Sequence, residues 1–135
     1  MTFVRAQIKW IMLVSGALTC TMFAALVAPR AVMLATFGDT LDGPVAEIVV
    51  RNWGALIGLV GAMLIHGAFA PRSRPLVLVV GCVSKVIFIG LVLVYGQRYL
   101  ARAGVAVVGD SVMVVLFALY LLGTRRLSDS DETSR

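Results

Sequence analysis

Hydrophobic residues along this chain come in long blocks rather than in alternation with polar ones. The first block runs from about Ile8 to Ala28 and stops at Pro29. The second runs from Ala46 to Ala70 and stops at Pro71. A third covers Leu76 to Tyr95, and a fourth Val105 to Gly123. Each approaches the roughly 20 residues that an α-helix needs to cross a hydrocarbon layer of about 30 Å. Backbone groups find no water in that layer, so a spanning block must satisfy them within itself, as a helix does. Period-two alternation, the mark of a half-buried strand, is absent. The pattern predicts an all-α integral membrane protein, a four-transmembrane-helix bundle with helices near 8–28, 46–70, 76–95 and 105–123. They form a single domain over residues 1–127.

The links between blocks are short except the first. There, Arg30–Phe37 (RAVMLATF) is apolar enough to lie in the interface as a short helix, stopped by Gly38. The following DTLDGP reads as a turn. Residues 128–135 are polar and predict a disordered tail. Arg5 and Lys9 give the first block a basic front, as in a signal peptide. Its apolar stretch is too long for such a leader, however, and no small-x-small site opens onto a polar segment. It reads as a retained helix.

Composition agrees with this. Of 135 residues, 60% are hydrophobic and 14% charged, against roughly 25% charged in an ordinary soluble domain. The net charge of +5 raises nucleic-acid binding as a reading. That needs a basic stripe with interleaved aromatics, whereas here the basic residues flank the apolar blocks, where they set topology. The bilayer is the predicted partner, with no nucleic acid. Arg5, Lys9, Arg72, Arg74, Arg125 and Arg126 fall on one side of the four crossings. Arg30, Arg98 and Arg102 fall on the other, diluted by Asp39, Asp42 and Glu47. The balance predicts both termini in the cytoplasm. Cys20 and Cys82 sit within apolar blocks without a CxxC motif and read as small packing residues. With one histidine, His66, and no acidic cluster, no metal site is expected. No nucleophile–base pair suggests a catalytic centre.

The chemistry of interest is the charge inside the blocks. Arg51, Lys85 and Asp110 all lie within predicted spans, and Glu47 precedes Arg51 by one helical turn. Intramembrane charge is costly, so such groups turn inward and pair. Glu47, Arg51, Lys85 and Asp110 are therefore predicted to meet in the outer half of the bundle. Helical stepping places Gly54, Gly58 and Gly61 on the same stripe as Arg51. The Gly54-x-x-x-Gly58 spacing lets a neighbouring helix approach closely. The charged cluster supports two readings. One is a polar pocket for a small amphiphile, an ion or a proton. The other is an ion-pair network that fixes helix register. Trp53 reads as an interfacial anchor and Asn52 as a helix–helix hydrogen bond. Gln97, Arg98, Tyr99 and Arg102 read as headgroup-level anchors.

The stretches VRNWGALIGLVGAML, SKVIFIGLVLV and GDSVMVVLFALYLL resemble the DoxX-like small four-helix membrane proteins and their uncharacterised relatives. Those families show an arginine before a glycine-rich second helix, a basic residue in the third and a carboxylate early in the fourth. Arg51, Lys85 and Asp110 occupy those places here, with lysine at 85 where arginine is expected. The resemblance implies a bacterial inner-membrane protein, and for some members a link to quinone or sulfur redox complexes. Three functions stay open. The first is a non-enzymatic accessory or interaction subunit with membrane-protein partners or further copies of itself. The second is a quinone- or lipid-binding subunit of a redox complex, with quinone as the one cofactor in view. The third is a small transporter using Asp110, although helix 1 carries none of the carboxylates that four-helix exporters place there.

Overall fold

The computed structural model describes the backbone of residues 2–132 and the side chains of Val4 and residues 6–124. Six α-helices form its frame: α1 (Thr2–Cys20), α2 (Ala24–Val27), α3 (Pro29–Phe37), α4 (Pro44–Phe69), α5 (Arg74–Tyr95) and α6 (Leu100–Glu132). No strand occurs among the described residues. Single 3₁₀ turns at Thr21–Phe23 and Gln97–Tyr99 join α1 to α2 and lead into α6. Among the described residues four segments are long and apolar enough to cross a membrane: Ala6–Val27, Pro44–Phe69, Arg74–Tyr95 and Gln97–Thr124. Large apolar side chains face outward on all four, among them Leu18, Leu59, Leu91 and Val115 at 62, 54, 54 and 56% exposure. Water would not tolerate so much exposed apolar surface, so lipid covers it. The chain is a multi-pass membrane protein.

Local chemistry explains the breaks. Ala28 precedes a proline and is pushed out of helical geometry, to φ −128° and ψ 64°. Pro29 then opens α3 at a position where its missing N–H costs nothing. Gly38 ends α3 in the left-handed region at φ 75°, its N–H donating to the Leu34 carbonyl. Arg74 caps the end of α4, its guanidinium donating to the carbonyls of Gly67 and Ala68, each at 3.1 Å.

The last helix begins at Leu100, not near residue 105. Arg102 lowers the hydropathy of this stretch without lowering its helix propensity, so an apolar window places the start too late. The helix also continues through Glu132, where the polar composition suggests a disordered tail from Ser128. Residues 133–135 lie outside the described residues.

α1 packs chiefly on α4, and α5 on α6, and α4 joins the two pairs. Both described ends of the chain lie at the same end of the bundle as the Ala70–Ser73 link. That half is close-packed, centred on Met12, Leu64, Leu78 and Phe117, all fully buried. The opposite half, under α3, has a smaller core around Val92, Ala103 and Val107 and leaves two cavities.

Candidate functional site

Glycine sets the approach of α1 and α4. Gly54, Gly58 and Gly61 are buried on α4. A Cβ at Gly54 would meet the Ala25 Cβ at 2.4 Å, and one at Gly58 the Phe23 ring at 2.7 Å. At Gly61 it would meet the Cys20 nitrogen at 2.7 Å and the Gly16 carbonyl oxygen at 2.8 Å. The backbones of α1 and α4 therefore touch at Gly61, while Gly58 and Gly54 let the 3₁₀ turn and α2 lie against α4 further along. Contact between α1 and α6 is slighter, and a gap opens on that side.

The structure sorts the four charged groups into two separate ion pairs, Lys85 with Asp110 and Arg51 with Glu47. Lys85 Nζ donates to Asp110 Oδ1, linking α5 to α6. Lys85 lies ten residues before the end of α5 at Tyr95, and Asp110 ten residues after the start of α6 at Leu100. At 1.5 Å per residue each stands about 15 Å from its helix end, near mid-membrane rather than in the outer half. Lys85 is buried and Asp110 half-buried. Arg51 and Glu47 stand apart. Arg51 donates to the Leu26 carbonyl at the end of α2, and Glu47 lies 3.9 Å from its other terminal nitrogen. Among the described residues no ion pair joins Arg51 to Asp110. The physical reason is local: the helix break at Ala28 leaves carbonyls without intrahelical partners, and Arg51 reaches one of them first.

A cavity of about 410 Å³ lies beside the Lys85–Asp110 pair. Ser15 and Thr19 of α1, Trp53 and Ile57 of α4, Ser84 and Phe88 of α5, and Gly109 of α6 contribute to its wall, with Thr36 of α3 above. Its rim residues Leu18 and Val105 are 62% and 83% exposed. The cavity therefore opens sideways between α1 and α6, at a depth where lipid lies. A Cβ at Gly109 would meet nothing within 4 Å.

Of the five hydroxyls that line this cavity, those of Thr36 and Ser84 make no hydrogen bond among the described residues and belong to half-buried residues, and two others are committed. Thr19 donates to the Ser15 carbonyl at 2.7 Å, Thr21 to that of Leu18 at 2.6 Å, and Ser111 to that of Val107 at 2.7 Å. Ser15 differs. It is 1% exposed, and its Oγ has no hydrogen-bond partner. A buried polar group left unmatched costs about 1–3 kcal/mol. Lys85 has three N–H donors and spends one on Asp110. Ser15 Oγ is shielded from the cavity, and the wall offers instead the hydroxyls of Ser84 and Thr36 and spare ammonium donors beside a charge that is already neutralised. Such a set suits a neutral head with hydrogen-bond acceptors. Among the described residues no three His, Cys, Asp or Glu side chains gather as a metal site requires.

A second cavity, about 550 Å³, lies at the α3 end. Trp53 and Phe88 border both cavities. Phe37 organises this wall, its ring centroid 6.2 Å from Trp53, 6.5 Å from Phe88 and 5.9 Å from Tyr99. At the mouth Tyr99 donates to Asp39 at 2.9 Å, and the Thr40 amide donates to the other carboxylate oxygen at 2.8 Å. These two bonds, and the charge of Arg98, hold the Asp39 carboxyl below the usual carboxylate range. Trp53, expected as an interfacial anchor, is a half-buried wall residue. Asn52 is exposed rather than bonded to a neighbouring helix. Neither Ser84 nor Phe37 carries a sequence signal beyond polarity or size. Their roles depend on where α5 and α3 settle.

Compared with protein-family models, with curated proteins and with solved structures, the chain shows no match to any.

Proposed function

We propose that this protein is a membrane-embedded binding subunit that holds the neutral head of an amphiphile in the cavity beside Lys85 and Asp110. The observation that carries this reading is a cavity open to lipid beside the Lys85–Asp110 pair, with the unbonded hydroxyls of Ser84 and Thr36 in its wall. The lateral opening suits a ligand that partitions into the bilayer, with its head at Ser84 and Lys85 and its tail leaving between α1 and α6. A lipid or a quinone fits this description. The resemblance to DoxX-like proteins points the same way, towards an accessory subunit of a complex in a bacterial inner membrane. The arginine-rich link at Arg72 and Arg74 supports a cytoplasmic location for both termini. A transporter would need Asp110 free to load and release its cargo, and the engagement of Asp110 by Lys85 favours binding instead.

Purification in mild detergent followed by native mass spectrometry tests this. One neutral amphiphile per chain is the expected result, lost when Gly109→Trp fills the cavity mouth. A bare chain, or an adduct indifferent to Gly109→Trp, contradicts the proposal. For orientation, a cysteine at Ser73 should react with an impermeant reagent from the cytoplasmic side, and one at Thr40 from the opposite side.

A further inference from the structure

α4 turns its glycines inward, towards α1, and carries a second stripe on the opposite side. Val49, Asn52, Leu56, Leu59, Met63 and His66 are all exposed. Their spacing alternates three and four residues, as in the seam of a left-handed helix pair. A lipid-facing helix shows such a stripe in any case, so the spacing alone proves nothing. Asn52 makes the difference. It lies eight residues past Pro44, about 12 Å along the helix at 1.5 Å per residue. The helix has 26 residues, or about 39 Å by the same rise, so it overshoots a hydrocarbon layer of about 30 Å by only a few ångströms at each end. Asn52 therefore stands inside the hydrocarbon. Lys9, His66, Arg98 and Arg102 are also exposed, but the first three lie within a turn of their span's end and Arg102 five residues in, on a side chain long enough to reach the headgroups, while the exposed Thr21 donates to the Leu18 carbonyl. A short amide side chain cannot stretch to the interface as lysine and arginine do.

An amide facing hydrocarbon without a partner is unfavourable, and asparagine in a spanning helix acts as glue between helices. We infer that the Asn52 face of α4 is the contact surface for a second copy of this chain. The amide carries both donors and an acceptor, so two Asn52 side chains related by a twofold axis satisfy each other. Two copies inserted in the same orientation also bring their α4 helices together in parallel, which places Asn52 at equal depth in both. Leu56, Leu59 and Met63 then pack along the remaining seam. The cavity beside Lys85 is untouched by this contact, because it opens between α1 and α6.

The test uses the full chain in lipid vesicles, labelled separately with donor and acceptor dyes at the C-terminus. Energy transfer should show a dimer that dilutes away as lipid is added. Asn52→Val should weaken that dimer about tenfold, while Leu91→Val on the lipid face of α5 leaves it unchanged. Leu59→Cys should cross-link to its counterpart under oxidation, and Leu91→Cys should not. A monomeric wild-type chain overturns the inference, including the case in which Asn52 serves a different membrane protein. So does a dimer indifferent to Asn52→Val.

Discussion

Lys85 and Asp110 are single residues on different helices, the first buried and the second half-buried, and each offsets the cost of the other's charge within the membrane. Removing one partner strands the other. Asp110→Ala should lower stability by roughly 3–5 kcal/mol, whereas replacing both, as in Lys85→Met with Asp110→Leu, should be much milder. Thermal unfolding in detergent measures the difference. Equal losses from the single and double variants would contradict a direct pair. Asp39 gives a second prediction at this scale. Its carboxyl is held below its usual range in the fold, so the ionised form stabilises the native state above the pKa of the unfolded chain. That contribution disappears as pH falls through the lower, native value. Stability should fall in acid, and Asp39→Asn should flatten the acid limb of a stability-against-pH curve. An unchanged limb would mean that Tyr99 and Thr40 do not hold the carboxylate in solution. The charge of Arg51, Lys85 and Asp110 within apolar blocks was legible in the sequence, and so was the need for partners. The choice of partner was not. Arg51 turns to the Leu26 carbonyl because Ala28 breaks the helix there, and that competition has no trace in hydropathy.

At the scale of the element, the glycines of α4 decide how closely α1 approaches. Gly61→Ala places a methyl group 2.7 Å from a backbone nitrogen and 2.8 Å from a backbone oxygen, neither of which can rotate away. It should destabilise the bundle by about 1–3 kcal/mol. Gly109→Ala on α6, with open space around it, should cost far less. Comparable melting temperatures for the two variants would argue against backbone contact between α1 and α4. The small-residue spacing at 54, 58 and 61 pointed to a packing face, but it did not identify which helix is packed there. The start of α6 was misplaced by hydropathy for a related reason. Arg102 is a good helix former in an interface, and a window that averages apolarity cannot distinguish a polar helical turn from a loop. That shift has a consequence for the site, since five more residues of helix put Asp110 level with Lys85.

Across the whole molecule, the two ends of the bundle are built differently. The end near the chain termini is filled by Met12, Leu64, Leu78 and Phe117. The end under α3 holds two cavities that share Trp53 and Phe88. Four apolar blocks were enough to read the fold class, because the bilayer restricts spanning segments so strongly. Empty space between helices is a property of their mutual placement and does not appear in any one block. Sequence reading therefore reached the charged residues and offered a pocket beside them as one of two readings, without a means to choose between the two. The chain has two tryptophans, and Trp53 alone borders the cavities, while Trp10 is 63% exposed on α1. Trp10→Phe leaves Trp53 as a single reporter of occupancy. The most direct measurement is titration of this variant, stripped of lipid in detergent, with a short-tailed benzoquinone while Trp53 emission is followed. A saturable change at one ligand per chain, weakened by Ser84→Ala and abolished by Gly109→Trp, is the predicted result. A linear, unsaturable response that is the same in all three proteins would contradict it.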